Sequence, residues 1–304
     1  VAAIGIFSSN RQTFTTTEGV GRIQENMRFA FELMAHDLRE AGGNPCGHHV
    51  PLSNVINGSA TRWWTNLNSA EDAAGELTNP WWNTLLGVAP LATDEGTAAG
   101  SRLAGTEAIQ LLSADASVAT VTSHNGTTFV LNTAAHGLQT GNLLLVCNAR
   151  QASAFQGTVV GTLVTHPVTG TPGNCTGNLG LPAGCAAQAF SYTPNSMISR
   201  LNASRWFVGL NGRGGSSLYL ARTNANGQGM TNQEMVDGVT GLSFQYLRTG
   251  DSDYVSRADV DGRWGDVVAI RVTVTVNAEN ARGTNGNPLS RTLVHTDSLR
   301  SRNA

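Results

Sequence analysis

Four aspartates crowd one short stretch, Asp251, Asp253, Asp259 and Asp261 in GDSDYVSRADVDG, and carboxylates gathered on one loop can supply the oxygen shell of a calcium ion. Their spacing is not that of an EF-hand loop, and solvated hairpin acids account for the same residues, so Ca²⁺ is the single cofactor left open. Cys46, His48 and His49 are metal-ligand types in one run, but a closed zinc site needs a further ligand that the run does not offer. The glycine-rich stretch Gly209-Leu-Asn-Gly212-Arg-Gly214-Gly215 leads into strand-like sequence, so it cannot set a helix N-terminus against a phosphate and reads as a hairpin turn. No nucleophile elbow, HExxH or P-loop occurs. The expectation is a protein that breaks no bond.

The remaining cysteine chemistry is structural. Cys46, Cys147, Cys175 and Cys185 permit three pairings, and none of their spacings is a CxxC metal pattern. Cys175 and Cys185 bracket a Gly/Pro-rich loop, which favours a local bridge and leaves Cys46 for Cys147; geometry has to decide. Disulfides place the chain in an oxidising compartment. With 304 residues, a net charge of −2 and only 13% charged residues, the chain has no general attraction for nucleic acid or anionic lipid. All 19 basic residues are Arg. Abundant Gly, Thr, Asn and Ser suit a β protein that solvates itself with neutral polar groups rather than a disordered one.

The element that must carry any function is the first. Val20, Ile23, Met27, Phe31, Met34 and Leu38 recur at steps of 3, 4, 4, 3 and 4, which lays one apolar stripe along a helix. Glu18 and Arg22, Arg28 and Glu32, and Glu32 and His36 are i,i+4 neighbours on the wet faces. Gly42, Gly43 and Pro45 end the helix, so residues 1–43 form one unit, with Gly19 and Gly21 weakening its middle. Val1, Ala2, Ala3, Ile4, Ile6 and Phe7 make a greasy start too short to cross a bilayer. Without an initiator Met or a charged n-region, the expectation is a mature or truncated form with its targeting segment upstream.

Residues 44–304 read as a β-rich head. Within it, 44–105 is an irregular excursion pinned by the pairs Trp63-Trp64 and Trp81-Trp82. Residues 106–192 form a first strand set (EAIQLLSA, VATVT, TTFVLN, LLLVC, TVVGTLVT) expected to be an antiparallel meander. Residues 193–304 form a second set (RWFVGL, SSLYLAR, GLSFQYL, VVAIRVTVTV, SRTLVH). Ile270, Val272, Val274 and Val276 alternate with Arg271, Thr273 and Thr275, giving one buried and one wet face. The fold class is therefore α+β, a long N-terminal helix on antiparallel sheet with a second sheet and long irregular loops.

The segment SNRQTFTTTEGVGRIQENMRFAFELMAHDLREAG resembles the first helix of PilW-type minor pilins of bacterial type IV pili. The resemblance continues in CNARQASAFQ (147–156), WFVGLNGRGGSSLYLAR (206–222), EMVDGVTGLSFQYL (234–247) and WGDVVAIRVTVTV (264–276), while residues 50–105 show no match. It implies a type IV pilin-like fold and a non-catalytic, low-abundance subunit that is cleaved and N-methylated by a prepilin peptidase. Such a subunit spans the inner membrane once with its head in the periplasm, then enters the extracellular pilus near the tip. The leader and membrane-spanning half lie outside these residues.

The partners that the resemblance implies are the other minor pilins, the major pilin, a large tip adhesin and the inner-membrane assembly machinery. Val1, Ile4 and Phe7 would then enter the helical core of the filament. The roles implied are priming of assembly in a tip complex, piliation, twitching motility and adhesion, with DNA uptake in which the acidic chain does not itself hold DNA. Two alternatives stand beside this reading: a type II secretion pseudopilin, and a tip module binding DNA or surfaces through its Trp pairs and arginines.

Overall fold

The computed structural model describes residues 2–46, 50–58, 62–67, 84–282 and 288–300. Helix α1 runs unbroken over Ala2–Glu40, through both Gly19 and Gly21, so its 39 residues reach about 58 Å at 1.5 Å per residue. Gly42 ends it in the left-handed region (φ 76°), and its N–H donates to the Leu112 carbonyl at 2.8 Å. The Ala114 N–H then reaches the Gly43 carbonyl at 2.8 Å, so the exiting chain is laid directly against the head.

The strands are β1 (Leu52–Asn54), β2 (Leu85–Val88), β3 (Ala108–Asn125), β4 (Thr128–Leu131), β5 (Leu143–Cys147), β6 (Ala152–Gln156) and β7 (Thr158–Val160). There follow β8 (Leu163–Thr165), β9 (Met197–Leu210), β10 (Ser216–Thr223), β11 (Met230–Asp237), β12 (Val239–Arg248), β13 (Val267–Arg282) and β14 (Pro288–Ser298). One large sheet has the order β1-β6-β5-β9-β3-β4-β8-β7, with β10 and β11 added along β9 and β2 along β3. A small antiparallel sheet has the order β12-β13-β14. The mixed α+β class follows from these elements.

The meander expected for 106–192 is not what forms. Strand β9 inserts between β5 and β3, pairing Leu145 with Ser199 on one side and Leu112 with Ala203 on the other, so the two strand sets share one sheet. Local turn cues specify hairpins, but which long strands meet is decided by the faces they must bury together. EAIQLLSA and VATVT are one strand, β3, carried past a register shift between Ala114 and Val118. TVVGTLVT is a hairpin, because Gly161 takes φ 58° and folds β7 onto β8.

Strands β5 and β6 are buried on both faces. Leu144, Val146 and Phe155 join one apolar cluster, and Leu143, Leu145, Ala152 and Ala154 join another. The covers are irregular segments: Val50 and Leu67 on one side, Leu179, Ala187 and Tyr192 on the other. Each cover is stapled, Cys46 to Cys147 and Cys175 to Cys185.

The Tyr192 side also holds a histidine pair. The Tyr192 N–H donates to Nδ1 of His124 at 3.0 Å, which leaves the His124 proton on Nε2, 3.2 Å from Nε2 of His166. Burial beside Phe129 and Phe155 pushes the His166 pKa down to about 4, and the neighbouring His124 adds to the shift.

Candidate assembly interface

The helix divides into two unlike halves. Ile23, Met27, Phe31, Met34 and Leu38 are each at most 6% exposed, and Ala30, Ala35 and Ala41 complete the seam. Val20, at the upper end of the stripe, is half-buried. Opposite them stand Ile270, Val272, Val274 and Val276 of β13 and Leu242, Phe244 and Tyr246 of β12, in one continuous core. Burying large apolar side chains at about 1.5–3 kcal/mol each makes this seam the main bond between helix and head.

Polar contacts set its register. Trp206 Nε1 donates to Asp37 at 2.9 Å and Arg222 to the same carboxylate at 3.2 Å. Arg39 donates to the buried Asp297 at 2.9 Å, and Asn26 donates to the Asp237 carbonyl at 3.0 Å. These partners lie far away in sequence and were absent from the sequence reading. The available signal was the pair of charges, Asp37 and Arg39, that flanks the stripe residue Leu38. The solvent-facing pairs Glu18–Arg22 (2.7 Å) and Arg28–Glu32 (2.8 Å) add only the small increments of exposed helix pairs.

Toward the N-terminus the helix leaves the head. Among the described side chains from Asn10 to Glu18, Thr16 is half-buried and the others are exposed, with Phe14 70% exposed. Farther down, Phe29 is 50% exposed and lines, with Leu33, Leu220 and Met235, a cleft of about 540 Å³ between α1 and the β10–β11 edge. Val1 lies outside the described residues. Ile4 and Phe7 fall within the helix, but their side chains lie outside the description as well.

The chemistry-bearing residues of the sequence do not converge. Asp251 accepts from Arg248 Nε at 2.6 Å, Asp253 from the Ser252 hydroxyl at 3.1 Å, and Asp259 from Ser256. Asp261 ends a short 3-10 turn in the left-handed region. Among the described residues no three His, Cys, Asp or Glu side chains gather where they could hold a metal ion. Charge-assisted bonds to local partners hold Asp251, Asp253 and Asp259.

Cys46 is consumed by its disulfide, and His48 and His49 lie outside the described residues. The stretch Gly209–Gly215 closes the β9–β10 hairpin. Trp64 donates to the Gly227 carbonyl at 3.0 Å, and Arg205 sits 4.7 Å over the Trp63 ring. Both are tied to the head, whereas Trp81 and Trp82 lie outside the described residues. No helix among the described residues is long and apolar enough to cross a membrane.

Residues 205–301, which carry β10 to β14 and most of the surface under α1, match the family described as Type IV Pilus-assembly protein W, PilW. No curated protein matches the chain. The family is one of pilus assembly, which associates the chain with the pilus and the cell envelope, implies contacts with other pilus components and indicates no enzymatic chemistry.

Proposed function

We propose that this PilW-family pilus protein is a non-catalytic minor pilin, a subunit that joins other pilins through its helix and helps to prime type IV pilus assembly in a tip complex. The observation that carries the reading is the division of α1: a C-terminal half sealed to the head, and an N-terminal stretch, Asn10 to Glu18, whose described side chains are exposed except for the half-buried Thr16. A helix of about 58 Å that uses only half its length on its own head leaves the rest for neighbouring helices. In this reading the pilin-like architecture serves to display a stapled β head from a helical filament. The greasy start, Val1, Ile4 and Phe7, enters the filament core, and the inner membrane holds the subunit before assembly. Other minor pilins, the major pilin and a tip adhesin are the partners; twitching, adhesion and DNA uptake follow from the pilus.

Deleting the gene is expected to remove surface pili and twitching, and the wild-type gene to restore them. Phe14→Asp is expected to leave thermal unfolding of the head unchanged while reducing piliation, because Phe14 touches solvent in the isolated chain. Normal piliation in the deletion strain would overturn the reading.

A further inference from the structure

Resting on the filament-subunit reading, we infer that the outer edge of β14 receives an extended segment of another pilus subunit as a fourth strand of the small sheet. β14 has 11 residues and pairs only with β13, so its outward N–H and C=O groups have no strand partner among the described residues. Two edges of the large sheet are guarded. On β7, the Thr140 hydroxyl accepts from the Val159 N–H (2.9 Å) and donates to the Val159 carbonyl (3.1 Å). On β11 the exposed residues are Thr231, Asn232, Gln233, Glu234 and Asp237, all polar. β14 instead exposes two adjacent aliphatics, Leu293 (46%) and Val294 (52%).

Register assigns their directions. Directly opposed residues share a face, so Leu293, opposite the buried Val274, lies on the helix side, and Val294, opposite Thr273, on the other. An occupant must therefore be extended, to satisfy backbone groups, and aliphatic on both faces at its centre. On the helix side Arg291 and the half-exposed His295 flank Leu293, while Asp297 is already held by Arg39. A carboxylate on the incoming strand would lie opposite Arg291.

A second copy does not fit. Two-fold antiparallel pairing about Leu293 would place Arg291 of one copy against His295 of the other. It would also point the two helices in opposite directions, which subunits sharing one filament axis cannot adopt.

The test uses Leu293→Lys combined with Val294→Lys, both at exposed positions, with unchanged melting as the check on folding. The purified heads of the other minor pilins and of the major pilin from the same cell are the probes, read by hydrogen exchange of the β14 amides. One head is expected to slow exchange along β14, and the double variant to weaken its binding about tenfold or more. Cells carrying the folded double variant are expected to lose pili as the deletion strain does. Full piliation by the variant in a background where deletion abolishes pili would overturn the edge-strand inference and leave the pilin reading standing. Piliation of the deletion strain would overturn both. Self-association of the purified protein that the lysines abolish would also overturn the inference, by making a second copy the occupant.

Discussion

Phe31 and Phe29 lie two positions apart on α1 and should behave in opposite ways. Phe31 is 6% exposed, sits in the core shared with β12 and β13, and places its ring 5.4 Å from that of His295 on β14. Truncation to alanine removes roughly 150 Å² of buried aromatic surface, which at about 25 cal/mol per Å² is about 4 kcal/mol. That agrees with the ~3–5 kcal/mol measured for Phe→Ala changes in cores that relax only partly. In a chain of this size each kcal/mol moves Tm by about 2 °C, so Phe31→Ala should melt about 6–10 °C lower. Phe29 is 50% exposed, and Phe29→Ala should stay within about 1 kcal/mol of wild type. Thermal unfolding followed by circular dichroism compares the two directly. Equal shifts for both variants would refute the assignment of the stripe as the helix–head seam.

Two further outcomes follow from the staples and the buried histidines. Cys46–Cys147 spans 101 residues and Cys175–Cys185 spans 10, so the chain-entropy relation assigns about 4.7 and about 2.7 kcal/mol to the two bridges. Replacing Cys46 and Cys147 by serine should therefore cost about 2 kcal/mol more in denaturant unfolding than replacing Cys175 and Cys185, and the reverse order would contradict the loop-closure account. His166 has a folded pKa lowered to about 4 against an ordinary 6.5, so the unfolded chain binds more protons between these values and stability must fall as pH falls. The loss begins near pH 6.5, grows to about 3 kcal/mol near pH 4 and is absent above pH 7. The Arg213-bonded Glu234, whose pKa is lowered, contributes in the same direction only at the acid end of that window. NMR titration of the His166 ring measures this directly; a midpoint near 6.5 would refute the buried neutral pair.

Sequence alone determined what periodicity and backbone chemistry can encode. A 3.6-residue spacing puts Ile23, Met27, Phe31, Met34 and Leu38 on one side of α1, and alternation puts Ile270 to Val276 on one side of β13, whatever the rest of the chain does. Gly42 and Pro45 end the helix for equally local reasons. Tertiary structure decided what each face meets. The insertion of β9 between β5 and β3, the capture of Asp37 by Trp206 and Arg222, and the burial of Asp297 under Arg39 join residues more than 150 positions apart or pair strands with no local cue. The aspartates of the 251–261 loop carried the strongest chemical signal in the sequence, and only the fold showed Asp251, Asp253 and Asp259 each turned to its own hydrogen-bond donor. Clustering in sequence says nothing about convergence of side chains in space. In the same way, Leu293 and Val294 read as ordinary strand residues until the sheet order leaves β14 at an edge, where the same apolar pair becomes an unpaired surface.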